Sequence, residues 1–323
     1  MACANAQLTD NAVTSTNDDA TCSKSYAVSL GYWVDPYIKT VCKQTIKKTP
    51  EINRGYFARV YAVRALVEGF INTHQRKCQV VSLGAGYDTL FWNLKDHGLL
   101  PVKYVEIDIA TVTRQKTFML LRKPGNMLEA LGEEVEVLGV AKLGIQCPHY
   151  ALLPADLRNT NELDKQLQAA SLDFQLPTLV LVECVLMYLP EDDSNRLLGY
   201  LAQKFSHCHL VNYDVTNMSD RFAQVMLENL GSRQCPLHIQ DCVSDSAQME
   251  RLKRSGWMQV SVKDMNNLYN TSIPHEQRTR IEKIEMLDEV HLLSELLKHY
   301  CICIASNTQD LDITCASLTS SIS

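Results

Sequence analysis

Two glycines and a set of carboxylates, each following an apolar run, are the residues with the clearest chemical potential. In "CQVVSLGAGYDTLFWNLKD" (78–96), Val80, Val81 and Leu83 run into Gly84 and Gly86. Missing side chains at a strand end let a ligand approach the backbone closely. Acids close the next three apolar runs: Glu106 and Asp108, then Asp156, then Glu183. In an open parallel sheet, ligands bind beyond the carboxyl ends of the strands, where the strand order reverses. Asp108 lies 24 positions beyond Gly84, near the spacing at which an acid meets ribose hydroxyls. A carboxylate there can accept two hydrogen bonds from a diol, and its charge strengthens them. Asp156, followed by Leu157, is placed to meet an adenine amino group. Each acid taken alone would serve equally as a solvated strand end or a helix cap.

The acidic rim also bears on the charge of the ligand. A dinucleotide fingerprint needs a third glycine three positions after the second, and Thr89 stands there instead. A diphosphate would be repelled by this rim, whereas a nucleoside carrying a cationic centre would not. S-adenosylmethionine meets that description. Its α-carboxylate requires a cation, which Arg59 or Lys24 can supply from the region before the first strand.

The elements that must position these groups follow from periodicity. The glycine stretch reads as strand, loop and helix, with Asp88 and Thr89 as cap residues for a helix carrying Phe91, Trp92 and Leu94. "VDPYIKTVCKQTIKK" predicts a helix opening with Asp35 at the cap and Pro36 at its first position. "EINRGYFARVYAVRALVEGFINTHQ" predicts a longer one, with Phe57, Val60, Val63, Val67 and Phe70 at helical spacing. Strand and helix then alternate: "VKYVEID" and "ATVTRQKTFMLLRK", "YALLPADL" and "NTNELDKQLQAA", "TLVLVECVLM" and "PEDDSNRLLGYLAQKF". "HLVNYDV", "VSVKDM" and "YCICIAS" add three strands. Such alternation predicts an α/β fold with a mostly parallel sheet flanked by helices.

Residues 1–21 read as a disordered arm, 22–306 as one domain and 307–323 as a flexible tail. Within the domain, about 216–257 forms an inserted helical region. Phe222, Val225, Met226 and Leu230 recur there at helical spacing. A lid, an acceptor wall and an ordinary surface helix all fit that pattern.

Composition excludes several classes. The chain has 323 residues, an apolar fraction of 46% and a formal net charge of -6, with a pI near 5.9. That suits a packed globular protein and argues against a generally basic nucleic-acid surface. No run reaches membrane-spanning length, and the first residues lack the basic start and apolar centre of a signal peptide, so a cytoplasmic location is expected. The 12 cysteines are scattered without a CxxC pair, a pattern of reduced thiols rather than a zinc site or disulfide framework. In "HCH" (207–209), strand alternation separates neighbouring ligands. "NMS" and "NTS" match the glycosylation pattern in spelling only.

"SYAVSLGYWVDPYI", "PEINRGYFARV", "VSLGAGYDTLFWNLKD", "KYVEIDIATVTRQK", "PADLRN" and "LPTLVLVECVLMYL" together resemble the leucine carboxyl methyltransferases. "NMSDRFAQVMLENL" and "HYCICIAS" are similar too, so the resemblance runs from about Cys22 to about Ser306. It implies a Rossmann-like, S-adenosylmethionine-dependent methyltransferase that esterifies the C-terminal leucine carboxylate of protein phosphatase 2A catalytic subunits. It implies cofactor contacts by Lys24, Arg59, Gly84, Asp108, Asp156, Leu157 and Glu183, with Gly86 in the same loop. Tyr188 then lies where the acceptor approaches, and Arg59 and Tyr188 take positioning roles in catalysis. No metal, membrane or nucleic-acid partner is implied. Two rival functions share the motifs: carboxyl methylation of a wybutosine-type tRNA base, and a catalytically silent adaptor that grips the phosphatase.

Overall fold

The computed structural model describes residues 2–122, 127–235 and 237–314, with side chains from residue 12 onward. Three helices precede the sheet: α1 (Ala2–Ser29), α2 (Ile38–Val41) and α3 (Pro50–Thr73). There follow β1 (Gln79–Leu83), α4 (Leu90–Asp96), β2 (Lys103–Asp108), α5 (Ala110–Arg122), β3 (Glu136–Leu138), β4 (Gly144–Gln146) and β5 (Tyr150–Pro154). The second half contains α6 (Thr160–Ala169), β6 (Thr178–Glu183), α7 (Glu191–Lys204), β7 (Cys208–Val215), α8 (Arg221–Ser232) and α9 (Asp245–Arg254). It closes with β8 (Gln259–Asp264), α10 (Met265–Thr271), α11 (His275–Glu282), α12 (Val290–Lys298) and β9 (Tyr300–Ser306).

Among the described residues, nine strands form one sheet in the order β3-β4-β5-β2-β1-β6-β7-β9-β8. From β5 to β7 all neighbours pair in parallel, while β9 runs antiparallel to β7. The chain grows outward from β1 to β2 and β5, then returns to the other side of β1 with β6. That reversal opens a crevice at the carboxyl ends of β1 and β6, where Gly84 and Glu183 stand.

Both faces of the sheet are covered, which explains why its central strands read as continuous apolar runs. Val80, Tyr104, Leu179 and Val211 face Leu66 and Phe70 of α3, Trp92 of α4 and Leu293 of α12. Val81, Val105, Ile107, Val180 and Leu210 face Leu163 of α6, Leu197 of α7 and Leu252 of α9.

Several sequence expectations change. Residues 2–29 form a helix where a disordered arm was expected, and Cys22 and Ala27 on it are buried. Asp35 does cap its turn, accepting from the backbone N–H groups of Tyr37 at 3.0 Å and Ile38 at 3.1 Å. The helix nevertheless ends at Val41, because Cys42 turns to extended backbone. Neither Asp88 nor Thr89 caps α4 through its side chain: Lys24 lies 3.5 Å from Asp88, and the Thr89 hydroxyl donates to Asp35 at 2.6 Å. The expected loose tail is packed as far as it is described: Leu311 lies against the core and Ile313 is buried. Positions 315–323 lie outside the described residues.

Glu106 sits inside the fold, fully buried, although the sequence places it among the strand-end acids. Its carboxylate meets Lys116 and accepts the Tyr150 hydroxyl at 2.9 Å. Lys116 also donates to the Asp88 carbonyl at 2.7 Å and lies 5.4 Å from the Trp92 ring centre. Burial pushes the Glu106 carboxyl up to about 7, against the pull of Lys116. A folded-state value above the unfolded one means that this group's contribution to stability falls as pH rises from about 4.5 to 7. Removing the cation steepens that fall. Lys116→Met is expected to lower the unfolding free energy by about 3–5 kcal/mol at pH 8, and by less at pH 5.5, where the folded variant holds Glu106 protonated. Urea titrations at the two pH values check this, and equal losses at both would assign the effect to packing rather than charge.

Candidate functional site

The floor of the crevice is built around Arg59. On α3, Tyr56 and Arg59 are three positions apart and therefore share a face, while Phe57 and Ala58 turn into the core. The Arg59 Nε donates to Glu183 Oε2 at 2.7 Å, and both side chains are only 13% exposed. Its Nη1 donates to the Cys184 sulfur at 3.4 Å. The guanidinium carbon lies 4.8 Å from the Tyr213 ring centre and 5.9 Å from that of Tyr56. Tyr213 in turn stacks on Tyr300 at 5.3 Å.

Asp108 closes β2 with both oxygens engaged by backbone. Oδ2 accepts from Gly86 N at 2.7 Å, and Oδ1 from Ile109 N at 2.7 Å. Burial pushes its carboxyl up to about 6, although those two hydrogen bonds favour the charged form. Asp156 is held by Arg158 through its Nε at 2.8 Å and Nη2 at 2.7 Å. Burial opposes ionisation of Asp156, but the Arg158 hydrogen bonds outweigh it and hold the carboxyl below its ordinary value.

A cavity of about 560 Å³ opens above these groups. Of the residues expected from sequence, Arg59, Gly84, Asp108, Asp156, Leu157, Glu183 and Tyr188 line it. Lys24 and Gly86 line an adjoining recess that shares Arg59, Gly84 and Glu183 with the main cavity. Glu106 lines neither. The group Asp220, Glu295 and His299 could hold a metal ion, but it lies at the start of α8 and none of the three lines the cavity.

The roof comes from two helices. Phe222, Val225, Met226 and Leu230 of α8 form an apolar wall, so the inserted region does reach the site. Asp220 caps α8 by accepting from Ala223 N at 2.9 Å, and Phe222 stacks on His299 at 4.4 Å. The second roof helix is α1, through Val13, Thr16, Asn17 and Ala20, none of which the sequence suggested. Arg233, directly after α8, lies 3.2 Å from Asp19 of α1.

The glycines have a reason beyond ligand approach. Both have positive φ, +64° at Gly84 and +53° at Gly86. A Cβ on Gly84 would come within 2.3 Å of Val185, and one on Gly86 within 2.7 Å of the Asn17 oxygen. The loop is thus closed on by the protein itself as well as shaped for a ligand. Cys184, Tyr56, Tyr213 and Tyr300 were also missed. Cys184 directly follows the recognised acid, and adjacency to Glu183 was the one available signal.

The volume falls within the usual range for small-molecule sites. Its wall combines a guanidinium, carboxylates at three strand ends and a broad apolar side, which suits an amino-acid carboxylate, a ribose diol and an apolar group together. A family model described as leucine carboxyl methyltransferase matches residues 10–202. The chain is 42% identical over 302 residues to leucine carboxyl methyltransferase 1 of Rattus norvegicus, covering 92% of this chain and 90% of that one. It is 33% identical over 309 residues to tRNA wybutosine-synthesizing protein 4 of Rattus norvegicus, covering 94% of this chain and 45% of the other. A solved chain from Thermobifida fusca, assigned as a candidate methyltransferase, superposes with a TM-score of 0.52 at 14% identity, covering 88% of this chain and 93% of that one. At that identity the likeness speaks for the fold alone.

Two measurements test the floor. Arg59→Ala is expected to keep a cooperative thermal transition while weakening S-adenosylhomocysteine binding about ten- to a hundredfold, the worth of a charge-assisted hydrogen bond. Calorimetric titration reads this, and wild-type affinity would remove Arg59 from the site. For Asp108 the sign follows from the sequence expectation that it meets a ribose diol: hydroxyl donors would favour the carboxylate, so affinity should fall as pH drops through about 6. Titrations at pH 5 and 7.5 should differ in the wild type and differ less in Asp108→Asn.

Proposed function

The chain belongs to the leucine carboxyl methyltransferase family, and from that premise we propose that it methylates the C-terminal leucine carboxylate of protein phosphatase 2A catalytic subunits, with S-adenosylmethionine as donor. The observation that carries the reading is that one cavity joins the charged groups assigned to the cofactor, Arg59, Asp108 and Asp156, to an apolar wall, Phe222, Val225 and Met226. With Arg59 given to the cofactor carboxylate, the apolar wall is the part that suits a leucine side chain. The 42% identity to leucine carboxyl methyltransferase 1, extending over 90% of that protein, supports a leucine carboxyl group as the acceptor.

S-adenosylmethionine supplies an electrophilic methyl on a sulfonium. In this reading Lys24 and Arg59 bind the carboxylate of its methionine portion, Asp108 the ribose diol, and Asp156 with Leu157 the adenine. Gly84 and Gly86 shape the loop beneath, and Glu183 fixes the orientation of Arg59. Tyr188 lies at the acceptor side; burial raises its phenol well above the ordinary range, so it is a neutral hydrogen-bond donor.

A C-terminal carboxylate has a reference pKa of about 3.3–3.7 and is ionised at neutral pH, so no general base is needed. The protein's work is to align oxygen, methyl carbon and sulfur, and such positioning can contribute about 7–11 kcal/mol. Opposite charges would neutralise on transfer, a change that the apolar side chains of α8 would favour. The proposed partner is the phosphatase catalytic subunit, through its C-terminal tail and the surface around its own active site. The proposed compartment is the cytoplasm, and no helix among the described residues is long and apolar enough to cross a membrane.

The 33% identity to the wybutosine protein keeps tRNA as the second substrate to be assayed. With radiolabelled donor, label is expected to enter phosphatase catalytic subunit with a free C-terminal leucine and to be released by mild base, as an ester requires. Subunit amidated at its C-terminus should take up none. Labelling of tRNA instead, or base-stable label on the amidated subunit, would overturn the assignment.

A further inference from the structure

Glu183 is the last residue of β6, and Cys184 follows it directly. Successive side chains along a strand point to opposite faces. Here both reach one guanidinium, Glu183 at Nε and Cys184 at Nη1. The backbone of Cys184 explains the convergence. Its φ is +54°, in the left-handed region that residues other than glycine rarely adopt. The turn is fixed rather than loose, because the Cys184 N–H donates to the Tyr213 carbonyl at 2.8 Å on the neighbouring strand.

We propose that Cys184 is a positioning residue for the carboxylate clamp: its left-handed backbone turns the thiol onto Arg59 and so fixes the guanidinium along a second edge. The role rests on the reading of Arg59 as the group that binds the cofactor carboxylate. A glycine would adopt this backbone without strain, so the side chain has to justify its place. What it adds is a sulfur acceptor beside a cation. Burial pushes the thiol up to about 11, so it stays a neutral S–H at physiological pH. It therefore holds Nη1 without placing a second anion next to Glu183, which would compete with the incoming carboxylate for the same charge.

With Glu183 on Nε, sulfur on Nη1, and the Tyr213 and Tyr56 rings nearby, the guanidinium is constrained along two edges and by neighbouring aromatic faces. Such preorganisation strengthens binding by removing the cost of ordering the clamp when the ligand arrives. Cys184 also lines the cavity, so the constraint acts at its wall.

The test is a double-mutant cycle on S-adenosylhomocysteine binding, read by calorimetry, with thermal melting as the check on folding. Cys184→Ala is expected to weaken binding about three- to tenfold, as for loss of one modest hydrogen bond. Cys184→Ser, which keeps an acceptor, should lie closer to wild type. In an Arg59→Ala background, Cys184→Ala should cause no further loss, because the residue acts through Arg59. In turnover assays the effect should appear in the cofactor KM more than in kcat at saturation. If Cys184→Ala does not fold, Cys184→Gly removes the thiol while suiting the backbone, and the same loss is expected. Wild-type affinity in the Ala or Gly variant, or an equal loss on the Arg59→Ala background, overturns the proposal. Wild-type affinity in Arg59→Ala itself would overturn the clamp reading and the proposal with it, whereas an affinity loss there alone would leave the clamp standing without Cys184.

Discussion

The ion pair between Arg59 and Glu183 is the constraint around which the site is organised. Taking two charges out of water is costly, and their attraction offsets that only where geometry is good and the remaining polar groups find partners. The surroundings meet both conditions: a 2.7 Å contact, a sulfur acceptor, and the Tyr213 and Tyr56 rings near the cation. These groups come from three parts of the chain. Arg59 and Tyr56 belong to a helix before the sheet, Glu183 and Cys184 to the end of β6, and Tyr213 to β7. One guanidinium thus ties α3 to the two strands beside the crevice.

A second buried pair shows what separates a site from a scaffold. Lys116 and Glu106 are both fully buried and share a network with Tyr150 and Asp88, yet neither lines the cavity. Glu106 and Asp108 lie two residues apart on β2, and burial raises both carboxyls. Only Asp108, at the strand end, borders the cavity and the glycine loop. A perturbed carboxyl thus marks burial in both cases, and its position along the strand decides whether a ligand can use it.

What was legible in the sequence follows the same division. The alternating strands and helices, Gly84, Asp108, Asp156 and Glu183 could be read because strand ends in a parallel sheet converge by topology, without knowledge of side-chain packing. α1 could not. Residues 12–21, "AVTSTNDDAT", are rich in Thr, Asn, Asp and Ser, which favour caps and turns over helix interiors. Tertiary contacts override that preference: Thr21 and Ser23 are buried and return their hydroxyls to the carbonyls of Asn17 and Asp19. Asp35 was recognised as a cap, but its second oxygen takes the Thr89 hydroxyl, and that diversion of Thr89 from α4 depends on a contact 54 residues apart. The left-handed turn at Cys184 has no compositional signal at all, since glycine or asparagine is the residue that usually announces it.

The floor and the roof of the cavity differ in how firmly they are held, and the difference suits alignment chemistry. Floor contacts are largely buried and link α3, β1, β2, β6 and β7 through charge-assisted bonds and backbone N–H groups, so moving one disturbs several. Where the two roof helices meet, by contrast, Arg233 and Asp19 are 69% and 63% exposed. An ion pair that open to solvent contributes about 0–1 kcal/mol. The apolar side chains of α8 likewise keep part of their surface in water, Val225 being 42% exposed. The bridge from Arg233 to Asp19 adds little to holding the two helices together, whereas Arg59 and Asp108 are each held by several buried contacts. A methyltransferase has to align oxygen, methyl carbon and sulfur, and a firmly held floor suits that work.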